Sequence, residues 1–262
     1  MPLTPRDTWL LPAHHVGRRV LVFDSVDSTN TVAASLADDP ANHGTAVLAG
    51  EQTAGRGQYG RTWHSPPELG VWLSVLLFPA PHLRRPALLT AWAAVAAADT
   101  ARTLTRLPTS IKWPNDVLLA GRKVCGILIE QARGTVVGMG LNVNQTADQF
   151  TTAGLPQATS LAAASGRLFD RDTVARRLLA DLDAGYDLFV RGDVESLEAA
   201  WRDHLGLLGE LVVIETADGT SHCGQLRALS FAGLEYVTQD GTISRLAPEA
   251  VRAMRRDEGM TR

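Results

Sequence analysis

The sequence predicts an α+β fold in two parts: a mixed sheet with helices over residues 1–208, and a small all-β domain over residues 209–262. Three observations lead there. Strand-like and helix-like runs follow one another without a steady βαβ rhythm, which argues against a doubly wound parallel sheet. Residues 86–104 are rich in alanine and open on Pro86, the composition of a packed helix. After Gly209 the texture changes to short β-branched runs separated by Asp218-Gly219 and Asp240-Gly241, residues suited to hairpin turns.

Taken in order, residues 21–23 form a short strand. The small polar residues 24–30 behind it suit a turn and a helix N-cap, with a helix expected over 31–36. Residues 45–49 are an apolar strand that opens into a glycine-rich, basic loop over 52–61. Residues 71–78 are apolar enough for a buried strand. The span 111–130 reads as two strands about a turn at 120–122, and 135–144 as a strand interrupted by Gly138 and Gly140. Helices are expected over 178–189 and 197–204. The C-terminal strands are 211–215, 224–230, 234–238 and 243–246, which together should make a little barrel.

Composition narrows the function. Lys and Arg number 25 against 28 Asp and Glu, a net charge of −3, so no strong basic field exists to hold nucleic acid through its phosphates. Cys125 and Cys223 do not form a CxxC pair, which argues against a zinc or redox motif and fits a reducing cytoplasm. The start lacks a signal-peptide pattern, and no apolar run approaches the ~18 residues that span a bilayer. A cytoplasmic protein without membrane contact is expected. The seven histidines are too scattered for a metal cluster, and no protein metal site is assigned. A serine hydrolase is poorly supported, because no Gly-x-Ser-x-Gly elbow is present.

Four segments carry residue types suited to chemistry. The loop Gly55-Arg56-Gly57-Gln58-Tyr59-Gly60-Arg61 combines glycines, which let backbone approach a ligand, with two arginines that can hold phosphate or carboxylate oxygens. It has neither a Walker A ending nor a dinucleotide fingerprint, and alone it is as readily a flexible surface loop. Lys112-Trp113-Pro114-Asn115-Asp116 places a lysine, an amide and a carboxylate beside a stiff Trp-Pro, or is merely a capped turn. Lys123 precedes a nearly pure apolar run to Glu130, where low dielectric would strengthen its pull on an anion. The fourth, Gly138 to Asn142, offers close approach and one amide.

In this order and spacing, together with Asp27-Ser28-Thr29-Asn30, these segments resemble the biotin–protein ligase family. The resemblance is close over residues 23–144, and Lys112 to Asp116 separates this branch from the lipoate ligases of the same fold. It implies a class II synthetase-like catalytic domain of the biotin/lipoate ligase type, with an SH3-like β domain at the C-terminus. It also implies that biotin and ATP are substrates, Mg²⁺ accompanies ATP, and the acceptor is a lysine of a biotin carboxyl carrier domain. Catalysis is then expected of Lys123, Asp116 and Arg56. Biotin is expected to touch Ser28, Thr29, Asn30, Gln52, Gly55, Arg56, Gly57, Gln58, Trp63, Lys123 and Gly126. ATP is expected to touch Arg56, Arg61, Lys112, Asn115, Asp116, Lys123 and Asn142. Many relatives carry arginine where this chain has Gln58, so a charge is lost from the loop. About twenty residues precede the first expected strand, too few for the DNA-reading winged helix of some relatives, so no repressor role is expected. The alternatives are a lipoate or octanoate ligase and a biotin-binding module without turnover. Monomer and homodimer are both open.

Overall fold

The computed structural model describes residues 4–257; residues 1–3 and 258–262, the outer ends of the two expected domains, lie outside the described residues. The elements run β1 (Asp7–Leu10), β2 (Arg19–Val26), α1 (Thr29–Ser35), β3 (Ala46–Gln52), β4 (Gly70–Leu77), α2 (Pro86–Thr105), β5 (Thr109–Lys112), β6 (Asp116–Leu119), β7 (Arg122–Gln131) and β8 (Thr135–Asn142). There follow α3 (Ala147–Thr152), α4 (Leu161–Ser165), α5 (Arg171–Val190) and α6 (Val194–Leu205), then β9 (Leu211–Thr216), β10 (Ser221–Leu229), β11 (Leu234–Val237), β12 (Ile243–Leu246) and β13 (Val251–Arg256).

The first eight strands form one mixed sheet in the order β1-β2-β3-β4-β8-β7-β6-β5. Only β2 and β3 run parallel, joined through α1; the other neighbours are antiparallel. Alternation along the strands sorts side chains between two clusters. Leu73, Val75, Val137, Leu141, Cys125 and Ile127 join the main core beneath α2 and α5. Phe23, Val47, Leu76 and Val136 face the other way, where α1 covers them through Val32 and Ala33. Alanine suits α2 because the helix is buried on nearly every side, against α5, α6 and the sheet. Trp92 of α2 fastens it to α5 by donating its indole N–H to the Leu182 carbonyl at 3.0 Å.

The remaining five strands form an antiparallel sheet in the order β12-β11-β10-β9-β13. Its Asp-Gly turns are those expected: Asp218 and Asp240 accept from Thr220 N–H and Thr242 N–H, while Gly219 and Gly241 take positive φ. The core continues from one sheet into the other. Trp113 donates to the Val251 carbonyl at 2.9 Å and packs on Trp201, which stacks on Phe231.

The structure adds elements and moves boundaries. The span 111–130 holds three strands, because residues 113–115, with a cis Trp113-Pro114 bond, reverse the chain so that Lys112 pairs with Asp116. The first helix begins at Thr29, two residues earlier than expected, and α5 begins at Arg171, capped by Asp170. Strands β1 and β13 and helices α3 and α4 were not anticipated. Three arginines in Val251–Arg256 mask a strand whose identity comes from pairing with β9. The N-terminal segment is pinned by Asp183 of α5, whose carboxylate accepts from the backbone N–H of His14, His15 and Val16 at 2.7–2.8 Å. Burial pushes that carboxyl up, but the three N–H groups outweigh it and hold it below the ordinary carboxylate value. Among the described residues no helix is long and apolar enough to cross a membrane.

Candidate functional site

Above the second face of β4, β7 and β8 the packing opens. At positions that would otherwise carry large side chains into that face stand Ser74 on β4, Gly126 on β7, and Gly138, Gly140 and Asn142 on β8. A Cβ on Gly138 would lie 2.2 Å from Asn30 Oδ1, and one on Gly140 would lie 2.3 Å from the Trp63 indole nitrogen. Glycine is therefore required for space, and the space forms a cavity of about 280 Å³. That is near the small end of ligand pockets, which run from ~300 to 1,000 Å³.

The inner end of the cavity is a hydrogen-bonded polar chain. Ser74, fully buried in an otherwise apolar strand, lies 2.6 Å from Asn30 Oδ1 and 2.7 Å from Thr29 Oγ1. The Thr29 backbone N–H donates to Gln52 Oε1 at 2.8 Å, and Gln52 Nε2 donates to Ser65 at 2.9 Å. Asn30 Nδ2 donates to Glu130 at 2.7 Å. Ser28 occupies the N-cap position of α1, but its side chain makes no capping bond. The run Ser28-Thr29-Asn30 is thus turned toward the cavity, and capping does not account for it. These groups supply donors and acceptors at fixed positions, as a small polar ring requires.

The outer end carries charge. Lys123 Nζ lies 2.6 Å from Asp116 Oδ1 and 5.1 Å from the Trp63 ring centre. Trp63 lies over Gly126 and Gly140, and its buried indole N–H has no partner among the described residues. Asn115 donates to the Ile127 carbonyl at 2.7 Å, and Asn142 donates to the Thr159 carbonyl at 3.0 Å and accepts from Gln145. Both amides therefore brace the wall as well as lining it. Burial pushes the Cys125 thiol up to about 12, so it stays neutral and serves as core. Among the described residues no group of three or more His, Cys, Asp or Glu is gathered to hold a metal by itself.

Most of the residues singled out in the sequence line this one cavity: Ser28, Thr29, Asn30, Gln52, Arg56, Gly57, Gln58, Arg61, Trp63, Asn115, Asp116, Lys123, Gly126 and Asn142. Two do not. Lys112 is exposed on β5, and Gly55 is buried behind the loop, its carbonyl accepting from Trp63 N–H at 2.9 Å. Sequence reasoning passed over Phe150, Leu155 and Ala158, which line the cavity from α3 and the segment after it. Their proximity arises because Lys123 pairs with Gln157 and Thr159 through the backbone, a contact with no local signature. It also passed over Ser74, for which a signal existed: one hydroxyl inside the wholly apolar run of β4.

Residues 22–144 match the model of the biotin/lipoate A/B protein ligase family. The chain is similar to a bifunctional ligase/repressor BirA of Bacillus spizizenii, 34% identical over 86% of this chain and 71% of that protein. It is similar also to the biotin–[acetyl-CoA-carboxylase] ligase of Mycobacterium tuberculosis, 34% identical over 82% of each. Among solved structures, a biotin protein ligase of Aquifex aeolicus in complex with biotin and ATP superimposes with a TM-score of 0.76 at 28% identity, over 91% of this chain and 99% of that one.

Proposed function

Because the chain belongs to the biotin–protein ligase family, we propose that it activates biotin with ATP to biotinyl-5′-AMP and transfers the biotinyl group to a lysine of a biotin carboxyl carrier domain. The biotin carboxylate attacks the α-phosphate of ATP and pyrophosphate leaves. The acceptor amine then attacks the biotinyl carbonyl, and AMP leaves. The single observation that carries this reading is the division of the cavity: a neutral hydrogen-bonding chain at one end and the Lys123–Asp116 pair at the other.

Each end suits one part of the substrate. The cyclic urea of biotin needs both donors and acceptors, which Ser28, Thr29, Asn30 and Gln52 can present. Lipoate ends in a dithiolane without such groups, so the donor and acceptor capacity that this chain keeps beyond its own internal bonds would go unused against it. Lys123 is placed to stabilise the charge that builds as carboxylate meets phosphate, and Asp116 orients it. Asp116, the carboxylate among the residues lining the cavity, also suits assistance to the incoming lysine amine, which is almost wholly protonated at neutral pH. Mg²⁺ bound with ATP would supply positive charge against the phosphates, and Asp116 would offer it a hard oxygen. The glycine-rich loop with Trp63 covers the cavity and keeps water from a reactive anhydride. Residues 1–208 are read as the catalytic domain. Residues 209–262 are read as a small β domain, and its Val251 carbonyl holds the Trp113 turn.

The test is direct. The protein is incubated with biotin, MgATP and a biotin carboxyl carrier domain, and the carrier is weighed. A mass gain of one biotinyl group, undiminished by excess lipoate, is expected. A carrier left unmodified while pyrophosphate also fails to appear would sink the reading.

A further inference from the structure

The Arg56 guanidinium, at the start of the glycine-rich loop, is held by two groups that do not line the cavity. Its Nε and Nη2 donate to the Glu130 carboxylate at 3.1–3.3 Å, and its Nη1 donates to Thr31 Oγ1 at 3.1 Å. The same carboxylate accepts from Asn30 Nδ2 at 2.7 Å, while Asn30 Oδ1 accepts from Ser74. With an acceptor on one side and a hydroxyl donor on the other, only one orientation of the Asn30 amide satisfies both. Glu130 therefore grips the stem of the loop and the amide at the inner end of the cavity together.

The rest of the loop is held differently. Gly57 N–H donates to the Arg61 carbonyl and Arg61 N–H to the Gln58 carbonyl, so residues 57–61 close on themselves. Neither the Gln58 amide nor the Arg61 guanidinium has a side-chain partner among the described residues. The loop is thus fixed at Gly55 and Arg56 and held more lightly beyond them, where the Arg252 guanidinium lies 5.5 Å from the centre of the Tyr59 ring. A fork-to-carboxylate pair fixes direction as well as distance, which suits Arg56 to the work of a post.

We infer that Glu130 is a positioning residue of this site: through Arg56 it anchors the stem of the loop, and through Asn30 it orients the amide that faces the ligand ring. Arg56 then acts by holding the loop in place and makes no contact with the phosphate. This rests on the ligase reading above, and it joins the two ends of the cavity through one carboxylate.

Release of biotinyl-AMP separates the two roles for Arg56, using the full chain. Arg56→Gln should speed release about three- to tenfold for one lost charge-assisted bond, Glu130→Gln by at least as much, and the double variant should do no more than Glu130→Gln alone. Arg56→Lys should behave like Arg56→Gln, because an ammonium cannot make the fork. Glu130→Gln should also weaken biotin binding measured without ATP, and by a larger factor than Arg56→Gln does, since only Glu130 touches Asn30. Trypsin should nick ligand-free Glu130→Gln faster after Arg56 and Arg61 than it nicks the unaltered protein. The inference is overturned if Arg56→Lys retains adenylate normally while Arg56→Gln does not, or if the two glutamine variants multiply. Should Glu130→Gln fail to fold, the lysine and glutamine variants of Arg56 still decide. Should the unaltered protein form no adenylate, the ligase reading fails first. The nicking comparison then decides the anchoring role, with unchanged nicking overturning it.

Discussion

The two faces of β4, β7 and β8 are built from the same strands and do opposite work. One face carries Leu73, Val75, Ile127, Val137 and Leu141 into the main core. The other carries Gly126, Gly138, Gly140 and Asn142 to the cavity wall, with Ser74 buried behind Thr29 and Asn30. On the first, side chains fill space; on the second, they are withheld so that Asn30, Trp63 and a ligand can come close. A strand can serve both because its side chains alternate, so a residue's parity decides whether it answers to stability or to chemistry. The comparison teaches that apolar content alone does not identify the structural face. The cavity face of β8 has little side-chain volume, and its glycines leave the room that Asn30 and Trp63 occupy.

Substitutions on either face can break that division, and the largest effect is expected in the core. Leu73→Ala should cost about 2–5 kcal/mol in chemical denaturation, by lost burial and an unfilled cavity. Its pyrophosphate release per folded molecule should stay near normal at low temperature. A variant as stable as the unaltered chain would mean that this face relaxes around the loss and is not close-packed.

Next comes charge at the site. Lys123→Ala should lower adenylate formation by a factor of about 10²–10³, the usual effect of removing one group aimed at developing charge. Its denaturation midpoint should change little, because the partner of Lys123 is the partly exposed Asp116. Near-normal pyrophosphate release would show that the lysine has been given the wrong role.

Gly140→Ala tests the withheld volume with a single methyl. The added carbon would collide with the Trp63 indole, which sits on the loop and can give way, so global stability should fall by less than about 1 kcal/mol. The loop over 55–63 should lose its ligand-dependent protection. Hydrogen exchange there should drop on adenylate binding in the unaltered protein and much less in the variant. Equal protection in both would mean that the Trp63 contact does not hold the loop down.

The smallest effect is expected at Gln58. A neutral amide in place of the arginine of many relatives forgoes one charged hydrogen bond, worth on the order of 1 kcal/mol, or roughly fivefold in retention. Gln58→Arg should slow adenylate release by about that factor and reduce stray modification of unrelated lysines. A release rate that is unchanged or faster would point to Arg61 or the loop's own packing as the existing clamp.

Much of this division could be read in the chain. The alternating glycines of 138–142 and the hydroxyl of Ser74 in an apolar run are period-2 signals of a face that is not core. The clustering of Ser28-Thr29-Asn30, the basic loop, Asp116 and Lys123 was expected and is what the cavity displays. Lys112 shares its motif with Asp116 yet lies exposed off the cavity, because the turn at 113–115 directs Trp113 into the core and leaves its neighbour outside. Strands β1 and β13 escaped notice because four residues, or a run of arginines, show no pattern of their own until a partner strand supplies one.

By itself the sequence determined the residue types, their spacing and the parity that assigns each to a face, since these follow from covalent order and the repeat of a strand. It determined too which segments could bend sharply or approach a ligand closely, since glycine and proline carry that in their own geometry. The tertiary structure alone decided partners. Glu130 meets Arg56 across 74 residues and Asn30 across 100, while Ser74 meets Asn30 across 44. Those meetings depend on strand order and register, which are settled by the burial of the whole sheet against α1, α2 and α5. No local pattern encodes them, because each contact is the joint outcome of many weak preferences satisfied at once.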